Sequence, residues 1–168
     1  MWPRVLRFVV GLILAALVWY NLTPLYDGFI AAAATPLVKI DPRLRGAHLA
    51  AADRIIKVTG SVPAANIPAD QLTYNVILLV ALFASNRKPL RDRNVVALLV
   101  SMLIVVVLHV IAVLLSVEST YAVQMGAWSE AHYGTAGYFF WMYAEIFYRL
   151  VGMFGVVFVC WWLTISRK

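Results

Sequence analysis

The stretch VVALLVSMLIVVVLHVIAVLLSV, Val95 to Val117, decides the class of fold. It is an apolar run whose only notable polar members are Ser101, His109 and Ser116. At a rise of about 1.5 Å per residue, a helix of that length crosses a hydrocarbon layer about 30 Å thick. A soluble chain of 168 residues has no core large enough to bury such a helix on all sides. The rest of the composition agrees: 63% of the residues are hydrophobic, 13% are charged and the mean hydropathy is +0.83. Soluble domains are about half apolar and about a quarter charged.

Three further runs flank this one. The first spans about residues 5–22, VLRFVVGLILAALVWYNL, with Arg4 and Arg7 at its start and the aromatic pair Trp19 and Tyr20 at its far end. The second, LTYNVILLVALFAS over about 72–85, is short and borrows length from its flanks. The last, about 138–164, is rich in Trp, Tyr and Phe and contains Glu145 and Arg149. Between the second and third runs lies NRKPLRDRN, with four cationic residues and one acid in nine, which belongs on the cytoplasmic side. Arg167 and Lys168 return to that side after the fourth run. The expected fold is therefore an all-α membrane protein. It is a single membrane domain, 1–168, with a bundle of four transmembrane helices, both termini inside, and an outer segment at about 41–71 between the first two.

Several local readings stay open. Pro24 bends or ends the first helix. The following LYDGFIAAAATPLVKI either continues it beyond the membrane or lies along the surface, since Asp27 makes a separate span expensive. Ala31 to Ala34 is the best candidate for a signal-peptide cleavage site, but Val5 to Leu22 is long for such a leader and reads as retained. In the outer segment, HLAAADRIIKVTG is either a short helix or a strand turning at Gly60-Ser61. The stretch ESTYAVQMGAWSEAHYGTAG reads as a second outer loop, carrying Glu118, Glu130 and His132 without Lys or Arg.

The formal charge of +6 and the pI near 9.7 do not indicate nucleic-acid binding. The cations sit at the ends of apolar runs, and no basic stripe forms on a soluble module. Chemistry-bearing residues are few. Glu145 and Arg149 are four apart on one helix face with the acid first, the better orientation for a helical ion pair. They either neutralise each other inside the bundle or meet a partner subunit or polar cavity. His109 is either a neutral histidine bonded to a neighbouring helix or a member of a site with Glu145 and Arg149. His48 and His132 lie in outer loops with no metal-ligand spacing, so neither a metal site nor a cofactor is expected. The single cysteine, Cys160, sits in VVFVCWWL and reads as inert, because a catalytic thiol needs a nearby base. Gly11 with Ala15, and Gly152 with Gly155, are small-residue pairs suited to close helix packing.

The stretch LVWYNLTPLYDGFIAAAATPLV, with its Trp-Tyr-x-x-x-Pro pattern, is followed by a polar segment and then by LTYNVILLVALFAS and a basic turn. In these features, over about residues 15–90, the chain resembles the small exosortase-associated membrane proteins, in particular those that accompany exosortase H. The resemblance implies a multi-pass protein of the bacterial inner membrane that works beside a sorting transpeptidase and has no chemistry of its own. Exosortases use Cys, Arg and His in that chain order. Here Cys160 follows both His109 and Arg149, so that catalytic pattern is absent. The expected function is a non-catalytic accessory or scaffold subunit, with other integral membrane proteins and the lipid bilayer as partners. The alternative is a membrane enzyme, or a proton-, ion- or electron-handling subunit, using His109, Glu145 and Arg149.

Overall fold

A computed structural model describes residues 2–166; the basic pair Arg167 and Lys168 lies outside the described residues. Helix α1, Trp2–Val38, is followed by a 3-10 turn, Pro42–Leu44, and by strands β1 (Ala47–Ala52), β2 (Ile55–Gly60) and β3 (Ala65–Pro68). The single turn α2, Asp70–Thr73, leads into α3, Asn75–Ala84. After the basic loop come α4 (Asp92–Val123), α5 (Ala127–Phe147), a π-helical segment (Tyr148–Gly152) and α6 (Met153–Ser166).

Three helical stretches are long and apolar enough to cross a membrane: Pro3–Val38, Asp92–Val123 and Ala127–Thr164. A shorter apolar stretch, Asp70–Ala84, accompanies them. Their surfaces are inverted relative to a soluble bundle. Leu6, Ile13, Leu14 and Leu17 on α1 and Leu99 and Leu103 on α4 are exposed, whereas Ser116, His109, Asn75 and Thr23 are buried. Apolar side chains facing out and polar side chains facing in is the distribution expected of helices solvated by lipid.

In α1 one of the two open alternatives holds: the helix runs on through both Pro24 and Pro36 to Val38. A threonine precedes each proline and bonds the carbonyl four residues back: the Thr23 hydroxyl donates to Trp19 O at 2.6 Å and the Thr35 hydroxyl to Ala31 O at 2.8 Å. Such back-bonding lets a helix tolerate the bend that a proline imposes. The extension beyond Pro24 buries Ile30, Ala31, Ala34 and Val38.

The first correction to the sequence reading is that the chain is not all-α. The segment between α1 and α2 forms a three-stranded antiparallel sheet, β1-β2-β3, registered Ala47↔Gly60 through Ala52↔Ile55 and Ile55↔Pro68 through Val58↔Ala65. The sheet turns twice: at Asp53-Arg54, between β1 and β2, and after Gly60, where β2 ends and the chain reverses through residues 61–64 into β3, as the strand reading expected. Both residues of the first turn have positive φ (54° and 62°), which places the two-residue loop in the left-handed family that matches strand twist. Ile56, Val58, Ala65 and Ile67 are buried while Lys57, Thr59 and Asn66 are exposed, the period-two pattern of a sheet with one face covered. That face packs on Ile30, Ala34 and Val38 of α1 and on Val113, Val117 and Tyr121 of α4.

The second correction concerns the second outer loop, which is largely helical. The α4 helix continues through Glu118 to Val123, and α5 begins at Ala127. Gly134, at φ 59° and ψ −178°, breaks α5 into a short lead piece and a long descending helix. The bundle therefore has two unlike ends. One carries the sheet, the 3-10 turn and the lead piece of α5. The other carries the basic loop, where Arg7 Nη1 donates to Arg87 O at 3.1 Å and Thr164 lines a cavity with Arg87 and Arg93.

Candidate functional site

His109 is fully buried on the face of α4 that meets α1 and α3. Its Nδ1 lies 2.7 Å from the Tyr26 hydroxyl and its Nε2 lies 2.6 Å from Asn75 Oδ1. Asn75 Nδ2 in turn donates to Met153 O at 2.9 Å. One consistent assignment satisfies every atom: the Tyr26 hydroxyl donates to Nδ1, and Nε2–H donates to Asn75 Oδ1. A neutral imidazole is thus used on both nitrogens, and the chain Tyr26–His109–Asn75–Met153 ties α1, α4, α3 and α6 together. Trp19 packs edge-on to Tyr26 with ring centres 4.8 Å apart and closes one side.

Glu145 and Arg149 form the internal pair that their spacing suggested. Arg149 Nη2 and Nε donate to Glu145 Oε1 at 2.8 and 3.0 Å. The Ser116 hydroxyl donates to the same oxygen at 2.9 Å, and Arg149 Nη1 donates to Gln71 Oε1 at 3.2 Å. The pair joins α5 and the π segment to α4 and α2. It is not deep in the bundle: the side chains are 16% and 34% exposed, at the sheet-bearing end. His109 and this pair are not brought together. Ser116, which holds Glu145, stands seven residues and about 10 Å further along α4 than His109. Each set is closed by other partners.

A third polar cluster was not visible as such in the sequence. Asp41 caps the 3-10 turn, accepting from Arg43 N at 2.8 Å, and its carboxylate takes the Arg43 guanidinium through Nε and Nη2. That guanidinium also covers the Tyr133 ring, 3.8 Å from its centre. The Tyr133 hydroxyl donates to Glu118 Oε2 at 2.7 Å. Burial alone pushes the Asp41 carboxyl up. The hydrogen bonds from the Arg43 side chain and backbone, the guanidinium charge and a contact with Glu118 outweigh it and hold the carboxyl below the usual carboxylate range. The same contact with Asp41 raises Arg43. Leu37, Ile40, Leu114 and Trp141 form an apolar groove of about 550 Å³ beside Asp41, Arg43 and Glu118. The signal that could have placed Glu118 in a helix was the Val113, Val117, Tyr121 stripe, whose four-residue spacing carries α4 past the membrane-length run.

Asp27 differs from these groups. It is 1% exposed, on the stripe of Thr23, Ile30 and Ala34, and neither carboxylate oxygen has a hydrogen-bond partner among the described residues. Cys160 is buried with Val157 and Leu79. His48 is exposed on β1, and His132 stacks on Trp128 with ring centres 4.2 Å apart. Among the described residues, no three His, Cys, Asp or Glu side chains are placed to hold a metal ion together. Gly11 packs α1 against α3: a Cβ there would stand 2.6 Å from Ala84 Cβ. Gly155 faces open space, so Gly152 and Gly155 do not act as a packing pair within this chain.

These features define a helical membrane-type bundle in which polar side chains bond across helices, Asp27 excepted, and whose one end is capped by a small sheet. No family model matches the chain, and neither a curated protein nor a solved structure matches it.

Proposed function

We propose that this chain is a non-catalytic accessory subunit of a bacterial inner-membrane assembly. In this reading it crosses the membrane four times, with the basic-loop end cytoplasmic and the sheet presented on the outer side. One observation carries the reading. Apart from Asp27, the ionisable and amide groups buried between the helices and their partners, Tyr26, His109, Asn75, Ser116, Glu145 and Arg149, are spent on bonds that tie helices together. They hold a platform in place and leave no free acid, base and nucleophile set among them. The resemblance to exosortase-associated proteins names the class of partner, a sorting transpeptidase. The orientation rests on the cations: Arg7 and the loop from Asn86 to Asn94 share one end of the bundle, and basic segments stay on the cytoplasmic side.

Extraction in a mild detergent followed by native mass measurement tests the role. A stoichiometric complex with another integral membrane protein is expected, and it should survive replacement of His109 by Leu in any variant that still folds. A solitary monomer under the gentlest conditions would sink the reading. So would loss of a cellular activity in His109→Leu or Glu145→Gln while assembly and protein level stay normal.

A further inference from the structure

The basic-loop end carries two adjoining cavities. The first, about 370 Å³, is lined by Arg87, Lys88, Arg91, Arg93 and Thr164 together with two asparagines. The second, about 420 Å³, runs between α4 and α6 along Val96, Val100, Ile104, Cys160 and Leu163. Arg93 and Thr164 line both, so the cationic pocket and the apolar groove adjoin.

We propose that these adjoining cavities together bind one anionic phospholipid, with its phosphate headgroup among the loop cations and an acyl chain laid in the groove between α4 and α6. Charge complementarity selects the headgroup. The nine-residue loop carries four cations against the single acid Asp92. Among the described residues, Arg87, Lys88 and Arg91 form no ion pair with a carboxylate. The loop is folded so that these charges surround one space: Arg91 N donates to Lys88 O at 3.2 Å, and Asn94 Nδ2 donates to the same oxygen at 2.5 Å. Geometry selects a chain-bearing ligand over a bare anion. From Arg93 to Ile104, α4 rises about 16 Å, the depth of one leaflet of a hydrocarbon layer about 30 Å thick. Along that length the groove wall is aliphatic, and its few polar atoms are spent. The Ser101 hydroxyl donates to Ala97 O and the Thr164 hydroxyl to Cys160 O. A headgroup pocket of cations at the membrane surface, adjoined by an apolar channel one leaflet deep, fits an anionic glycerophospholipid.

The test uses the full-length chain in a neutral detergent, titrated with phosphatidylglycerol, with phosphatidylcholine and with inorganic phosphate. Binding is read by native mass and by the shift of the melting temperature. Phosphatidylglycerol should bind one per chain and raise the melting temperature; phosphatidylcholine and phosphate should do neither at equal concentration. Arg87→Gln, Lys88→Gln and Arg91→Gln together should weaken the phosphatidylglycerol complex about a hundredfold, at roughly a factor of five per cation. Val100→Trp fills the groove and keeps the cations, and should also lose the lipid. If the triple variant does not fold, Arg91→Gln alone replaces it, with an expected weakening of about fivefold. Equal affinity for phosphatidylglycerol and phosphatidylcholine would overturn the headgroup assignment. Phosphate acting as well as the lipid, or Val100→Trp binding normally, would overturn the chain groove.

Discussion

At the scale of single residues, the bonds that cross between helices make the sharpest predictions. Asn75→Leu leaves His109 Nε2 and Met153 O without their partner in a buried setting. His109→Phe leaves Asn75 Oδ1 and the Tyr26 hydroxyl in the same position. Interhelical hydrogen bonds in lipid contribute about 1 kcal/mol, so each change should destabilise by about 1–2 kcal/mol. Because the two residues share one bond, the double variant should cost about 1 kcal/mol less than the sum, measured by thermal unfolding in detergent. Strict additivity would show that the two side chains do not act together. The reading of His109 as a histidine bonded to a neighbouring helix was available from the sequence, but its partners were not. Tyr26 and Asn75 are 83 and 34 residues away, and no periodicity encodes contacts across such separations.

Asp41 gives the pH dependence. Its folded carboxyl titrates below the ordinary value of about 3.9, so its contribution is fully present above that value and is lost as the pH falls through the folded one. The fall in melting temperature between about pH 5 and pH 3 should therefore be shallower in Asp41→Asn than in the unaltered chain. At neutral pH that variant should be about 1 kcal/mol less stable, since it loses both the cap and the bond to Arg43. A variant with an unchanged acid slope would remove Asp41 from this role.

At the scale of elements, the helices were legible as apolar runs, but their ends were not. Two helix ends share one cause: a local breaker is overruled by the contacts of the residues beyond it. Pro24 and Pro36 do not end α1, because Thr23 and Thr35 bond back along the helix and the extension buries Ile30, Ala34 and Val38 under the sheet. Glu118 does not end α4, because Tyr133 reaches it from α5. The sheet was ambiguous for a different reason: its strands are short and alanine-rich, and burial of one face by α1 and α4 is what selects the strand over the helix. The kink in α5 was invisible, yet it positions Tyr133. Gly134 occupies a conformation that is essentially open to glycine alone, and nothing lies within 4 Å of a Cβ built there. Gly134→Ala should then cost about 1–3 kcal/mol from backbone strain alone. Gly155→Ala, equally unobstructed but helical, should be neutral or stabilise by up to about 1 kcal/mol. Equal melting temperatures for the two variants would mean that the break at Gly134 is not required.

At the scale of the whole molecule, the two ends of the bundle imply a topology. The sheet packs on Val117 and Tyr121 near one end of α4, while the basic loop meets its first turn at Asp92. Those positions are about 25 to 29 residues apart, or about 40 Å along the helix. The chain must return from β3 to the basic loop across that distance, and the only helix available is the stretch Asp70–Ala84, about 22 Å long. It is shorter than the roughly 30 Å hydrocarbon layer, so its crossing requires local thinning of the bilayer or polar flanks that reach inward. Thiol labelling decides whether it crosses. With Cys160 replaced by serine, a cysteine is introduced either at Lys57, exposed on β2, or at Leu90, 88% exposed in the basic loop. An impermeant reagent should label Lys57→Cys on intact spheroplasts and Leu90→Cys only after the membrane is opened. Labelling of both on intact spheroplasts would place sheet and loop on the same side. The short helix would then lie within one leaflet, and the cationic pocket could not face the cytoplasm.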